Sequence, residues 1–65
     1  MTRVRVTEAD HVWLRSILEA YEGLVTWRMD PGGVFALTAP PGREAELDAL
    51  LADLCREAPI VVLGD

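Results

Sequence analysis

Leu24-Val25-Thr26-Trp27-Arg28-Met29, Asp30-Pro31-Gly32-Gly33 and Val34-Phe35-Ala36-Leu37-Thr38-Ala39 are the consecutive segments on which the fold turns. The first and third are rich in β-branched and aromatic side chains, which suit a pleated, half-buried surface. Between them proline presets the φ angle of one turn position and glycine accepts the positive φ of the next. The stretch is therefore a β-hairpin. Pro40-Pro41-Gly42 ends its second strand, because proline has no N–H to give to a ladder.

Outward from the hairpin toward the C-terminus, Leu47, Leu50, Leu51, Leu54 and Ala58 recur at helical spacing. Glu44 and Glu46 occupy the first turn, where the helix dipole favours negative charge, and Pro59 is the expected stop. Ile60-Val61-Val62-Leu63 is a short apolar run of strand type before Gly64-Asp65. Toward the N-terminus, Leu14, Ile17, Leu18 and Tyr21, with Trp13 beside them, form one helical stripe. Glu8, His11, Arg15, Glu19 and Glu22 form the opposite, polar side. Thr7 and Asp10 have the spacing of a capping box at its start, and Gly23 is the expected left-handed end. Arg3-Val4-Arg5-Val6 alternates with the period of a strand that has one buried face.

The element order is βαββαβ over a single domain, residues 1–65. With right-handed crossovers this predicts an α+β, ferredoxin-like sandwich, a four-stranded antiparallel sheet with two helices on one face. Strands one and three are central, and the other sheet face is bare.

Three pieces of the sequence, Leu18-Glu19-Ala20-Tyr21-Glu22-Gly23-Leu24, Asp30-Pro31 and Pro40-Pro41-Gly42-Arg43-Glu44, give the chain a resemblance over most of its length. It resembles a family of short bacterial proteins classed as a domain of unknown function. The resemblance implies an ACT-like or ferredoxin-like fold and no established activity. ACT domains bind amino acids or related effectors at subunit interfaces and usually carry an Asp-x-Pro-Gly-type turn after the first strand. Here that turn is Val6-Thr7-Glu8-Ala9-Asp10, with neither proline nor glycine.

Composition excludes several functions. The 65 residues are 51% hydrophobic and 26% charged, with a formal net charge of -5. That balance argues against nucleic-acid binding, which rests on basic side chains neutralising phosphates. No apolar run approaches the roughly 20 residues of a membrane span, and no apolar core follows the N-terminal arginines, so the expected setting is cytoplasmic. One cysteine makes neither an internal disulfide nor a multi-thiolate metal site. Ser16 and His11 lie five apart on one helix, a spacing that does not align them for proton transfer. Cys55 falls at the edge of the second helix's stripe, where a packed thiol is expected. No catalytic residue, metal site or cofactor is expected, and the chain is read as a non-enzyme.

Two features point to binding. With Val4 and Val6 turned toward the helices, Arg3 and Arg5 face outward. Arg28 joins them if Val25, Trp27 and Met29 point inward. Guanidinium groups suit carboxylates and phosphates, so Arg3, Arg5 and Arg28 are the candidate binding residues for a small anion or an acidic protein segment. The strands also carry apolar side chains on both faces (Leu24 against Val25, Phe35 against Ala36, Ile60 against Val61), where a sheet covered on one side alternates apolar with polar. A second copy is the expected cover. The function expected is an interaction or ligand-sensing module acting as a homodimer, with an anion-binding accessory subunit as the alternative.

Overall fold

The structure is a computed structural model that describes residues 1–64; the closing Asp65 lies outside the described residues. Strand β1 (Thr2–Val6) leads through a 3-10 turn (Glu8–Asp10) into helix α1 (His11–Ala20). The hairpin β2 (Thr26–Met29) and β3 (Val34–Thr38) follows, then α2 (Glu44–Leu54) and β4 (Ile60–Gly64). The strands form one antiparallel sheet in the order β2-β3-β1-β4. This is the ferredoxin-like α+β arrangement, with β3 and β1 central as the crossover argument requires.

The core lies between the helices and one sheet face. Val4, Val6, Phe35 and Leu37 from the central strands meet Leu14 and Leu18 of α1 and Leu47, Leu51 and Leu54 of α2, all buried. Phe35 is fully enclosed and packs against the Trp27 ring at 5.7 Å between centroids. Burial of side chains this large is the main stabilising term of so short a chain. No helix is long and apolar enough to cross a membrane among the described residues.

Several local expectations are corrected. Thr7 makes no side-chain bond to the orphan amides of the helix start; its hydroxyl donates to the Asp10 carboxylate at 3.1 Å. The Asp10 amide instead bonds the Thr7 carbonyl at 2.9 Å, which winds the entry as a 3-10 turn. Gly23 is not left-handed. Helix α1 stops at Ala20, and the amides of Leu24 and Val25 both donate to the Tyr21 carbonyl, closing a turn that needs no positive φ. Tyr21 is consequently exposed rather than part of the core stripe. Helix α2 ends at Leu54, before Pro59, and Cys55 is exposed, not packed.

In the hairpin the positive φ falls on Gly33 (+80°), one residue later than the turn rule placed it. The Gly33 amide donates to the Asp30 carbonyl, while Asp30 Oδ1 accepts from the amides of Gly32 and Val34 at 2.9 and 3.2 Å. A turn closed by a left-handed glycine is the usual form of a three-residue hairpin loop. It also sets the register of β2 on β3.

Candidate functional site

The sheet face opposite the helices is built by strand alternation. Val4 and Val6 are buried beneath the helices, so Arg3 and Arg5 on the same strand must point the other way. On β2, Trp27 lies over Phe35 on the helix side, so Thr26 and Arg28 share the open face with the two arginines. All three predicted arginines are exposed and stand on this one surface.

Register fixes how they are arranged. Arg28 pairs with Ala36 from one side and Arg3 pairs with Ala36 from the other, so the three form a row across β2, β3 and β1. Neighbouring strands lie about 4.8 Å apart, which separates the Arg3 and Arg28 backbones by roughly 10 Å with a methyl side chain between them. Two pairs along, Arg5 stands between Val34 and Val61. In the other direction Thr26 pairs with Thr38, setting two hydroxyl side chains beside the arginine row. A shallow depression of about 330 Å³ lies there, lined by Met1, Thr26, Trp27, Arg28, Ala36 and Thr38.

Charge is sharply divided between the two sides of the molecule. No carboxylate stands on the described strand positions of the open face, and none of its three arginines has an ion-pair or hydrogen-bond partner among the described residues. The ion pairs found there are both local: Arg43 with Glu46 at 2.7 Å and Arg56 with Asp53 at 4.0 Å. The Arg43 hydrogen bonds hold the Glu46 carboxyl below the usual carboxylate range, and Glu46 in turn raises Arg43. Arg43 also reaches the Gly23 carbonyl at 3.4 Å, tying the turn after α1 to the start of α2.

The other side chains considered for chemistry are dispersed. Ser16 is exposed on α1, and Cys55 is exposed just beyond α2. His11 is not on a solvated helix face as its neighbours in sequence suggested. It is half-buried, with its ring edge-on to Phe35 at 5.7 Å and close against Gly33. There it borders a groove of about 450 Å³ that also touches Arg5, Glu8 and Asp30. No group of three His, Cys, Asp or Glu side chains suited to a metal ion occurs among the described residues.

The expectation of an apolar second face is only partly met. Ala36, Val34 and Val61 do stand on it, but Leu24 precedes β2 and is half-buried in the turn after α1. Met1, Val12, Tyr21 and Met29 are exposed apolar side chains on separate elements, and three more stand in succession on β4: Val61, Val62 and Leu63 are 56%, 51% and 37% exposed. Sequence reading found the arginines but not the Thr26–Thr38 pair or the role of Ala36, because those depend on strand register.

The family model described as Domain of unknown function (DUF4911) matches residues 4–57, and the chain belongs to that family. The match runs from Val4 within β1 through α2, taking in Arg5, Arg28 and Ala36, while Arg3 and β4 lie outside it. No curated protein and no solved structure matches the chain.

Proposed function

We propose, from its geometry, that the chain is a non-enzymatic interaction module that works as a homodimer, joined through β4. The observation that carries this reading is the state of that strand. β4 pairs with β1 on one side only, so its outer side presents unpaired backbone N–H and C=O groups. Its residues, Ile60-Val61-Val62-Leu63-Gly64, carry no charge. Natural edge strands are usually guarded by charged side chains, by proline or by a covering element, and an unguarded one is a template for another strand. The opposite edge of the sheet, β2, is shorter and carries Arg28.

A second copy is the occupant that fits. Antiparallel pairing about a two-fold axis at Val62 sets Val62 beside its own copy and Val61 beside Leu63, with no charge brought against like charge. The two sheets become one of eight strands, with all four helices on one side. Val62 lies on the helix side and Val61 on the open side, so the partner shields apolar surface on both. Face-to-face association is disfavoured, because it would stack Arg3, Arg5 and Arg28 against the same three guanidinium groups with no acid between them. The reading carries with it a cytoplasmic, reducing setting, in which the exposed Cys55 thiol stays free.

The test is sedimentation equilibrium across a wide concentration range, in reducing buffer, on the native chain and on Val62→Lys. Dimerisation of the native chain, lost in the variant, is the expected result. Equal self-association of the two would overturn the β4 assignment, and a monomer at every concentration would overturn the homodimer.

A further inference from the structure

We infer that the row Arg28–Ala36–Arg3 is a binding site for a small ligand bearing an oxyanion, a carboxylate or a phosphate, seated over Ala36. Four features of the open face converge on it. Arg3 and Arg28 flank one small residue in register from opposite sides, so both side chains can lean over the same spot. Both guanidinium groups are without an acidic partner among the described residues, and a guanidinium matches the planar pair of oxygens of a carboxylate or phosphate. Thr26 and Thr38, paired beside the row, add hydroxyl donors along the depression of about 330 Å³. Ala36 supplies a low floor, since any longer side chain there would fill the space between the arginines.

The size and charge of the molecule select the class of ligand. The depression is at the lower end of the range of small-molecule sites, which begin near 300 Å³. Three arginines of the open face account for +3 of a chain whose formal total is -5, so the remainder of the molecule carries -8. A long polyanion approaching this protein meets a repulsive field over most of its length. A compact anion that comes within a Debye length, about 8 Å at physiological salt, meets chiefly the arginines, since no carboxylate stands on the described strand positions of that face and the acids Glu8 and Asp30 border the groove beside Arg5. Arg5 lies in the next row and adds attraction without reaching the spot as directly.

The site lies on the open face over β3, two strands in from the outer edge of β4, so its test is read separately from oligomeric state. The experiment is a titration of the 15N-labelled chain with inorganic phosphate, followed by amide chemical shifts, against sodium chloride at matched ionic strength. Saturable shifts centred on Arg3, Thr26, Arg28, Ala36 and Thr38 are expected with phosphate and not with chloride. Arg3→Gln and Arg28→Gln should each weaken binding about tenfold or more, with the sedimentation behaviour of the native chain retained, while Arg15→Gln on α1 leaves binding unchanged. Shifts that never saturate, that chloride reproduces, or that persist in the Arg3→Gln and Arg28→Gln variants would overturn the site. Tighter binding of a hexaglutamate peptide than of phosphate, succinate or citrate would overturn the small-ligand assignment in favour of an acidic protein partner.

Discussion

His11 stands directly over Gly33: a β-carbon placed on Gly33 would lie 3.3 Å from the histidine ring. The contact joins the first turn of α1 to the hairpin loop, two segments separated by 21 residues of chain, and it closes one end of the core above Phe35. Glycine is required at this position twice over, by its φ of +80° and by the ring above it.

Gly33→Ala should therefore destabilise the chain by about 1–2 kcal/mol through the left-handed backbone alone, with an added part from the ring. In a His11→Ala background the added part should vanish and the backbone part remain. Gly23→Ala is the opposite case, because Gly23 has ordinary φ and open space around its α-carbon. That substitution should be neutral or stabilise by up to about 1 kcal/mol, by restricting the unfolded chain. Urea denaturation of Gly33→Ala, His11→Ala, their double variant and Gly23→Ala, followed by tryptophan fluorescence, checks both expectations.

Phe35→Ala removes the largest fully buried side chain of the core. Truncations of this kind cost about 3–5 kcal/mol, against a total of roughly 3–10 kcal/mol for a chain of this length. The variant should be largely unfolded at 25 °C by circular dichroism or lose most of its urea midpoint. An unfolding free energy within about 1 kcal/mol of the native chain's would contradict the central place given to Phe35.

The Arg43–Glu46 pair gives a pH signature of definite sign. Glu46 has a folded-state pKa depressed by the Arg43 hydrogen bonds. Its contribution is therefore present above the unfolded carboxylate pKa and is lost as pH falls through the folded value. Both groups are exposed, so the effect is small. Glu46→Gln should lower the melting temperature slightly near pH 7, and the difference from the native chain should disappear in acid. A difference that grows on acidification would have the wrong sign for this pair.

Periodicity made the architecture legible. The alternation of Arg3-Val4-Arg5-Val6 placed both valines in the core and both arginines outside, and of the stripe Leu47, Leu50, Leu51, Leu54 and Ala58 the first, third and fourth are buried, while Leu50 and Ala58 are half-buried and Ala58 lies beyond the helix. What local pattern could not supply was tertiary. Cys55 lies about 100° around the helix from Leu54, on a flank whose burial depends on what packs beside it, and nothing covers it there. His11 read as part of a polar face because the hairpin loop that packs on it comes from elsewhere in the chain. The three arginines of the open face were legible residue by residue. Their geometry around Ala36 was not, because a register shift of one residue would have set different side chains between Arg3 and Arg28.

Salt should separate the two binding surfaces. Copies of a chain with net charge -5 repel one another, so raising ionic strength from about 0.02 to 0.3 M should strengthen association through the uncharged β4 while weakening anion binding at Arg3 and Arg28. Light scattering and phosphate titration at both salt concentrations check the opposing signs.

The most direct measurement is sedimentation equilibrium of the native chain beside Val62→Lys, in reducing buffer at moderate salt so that neither Cys55 nor net charge confuses the mass. A native chain that approaches twice the monomer mass with rising concentration, beside a variant that stays monomeric and folded, is the predicted result. A native chain that remains monomeric throughout, or a variant that dimerises equally well, would contradict the account.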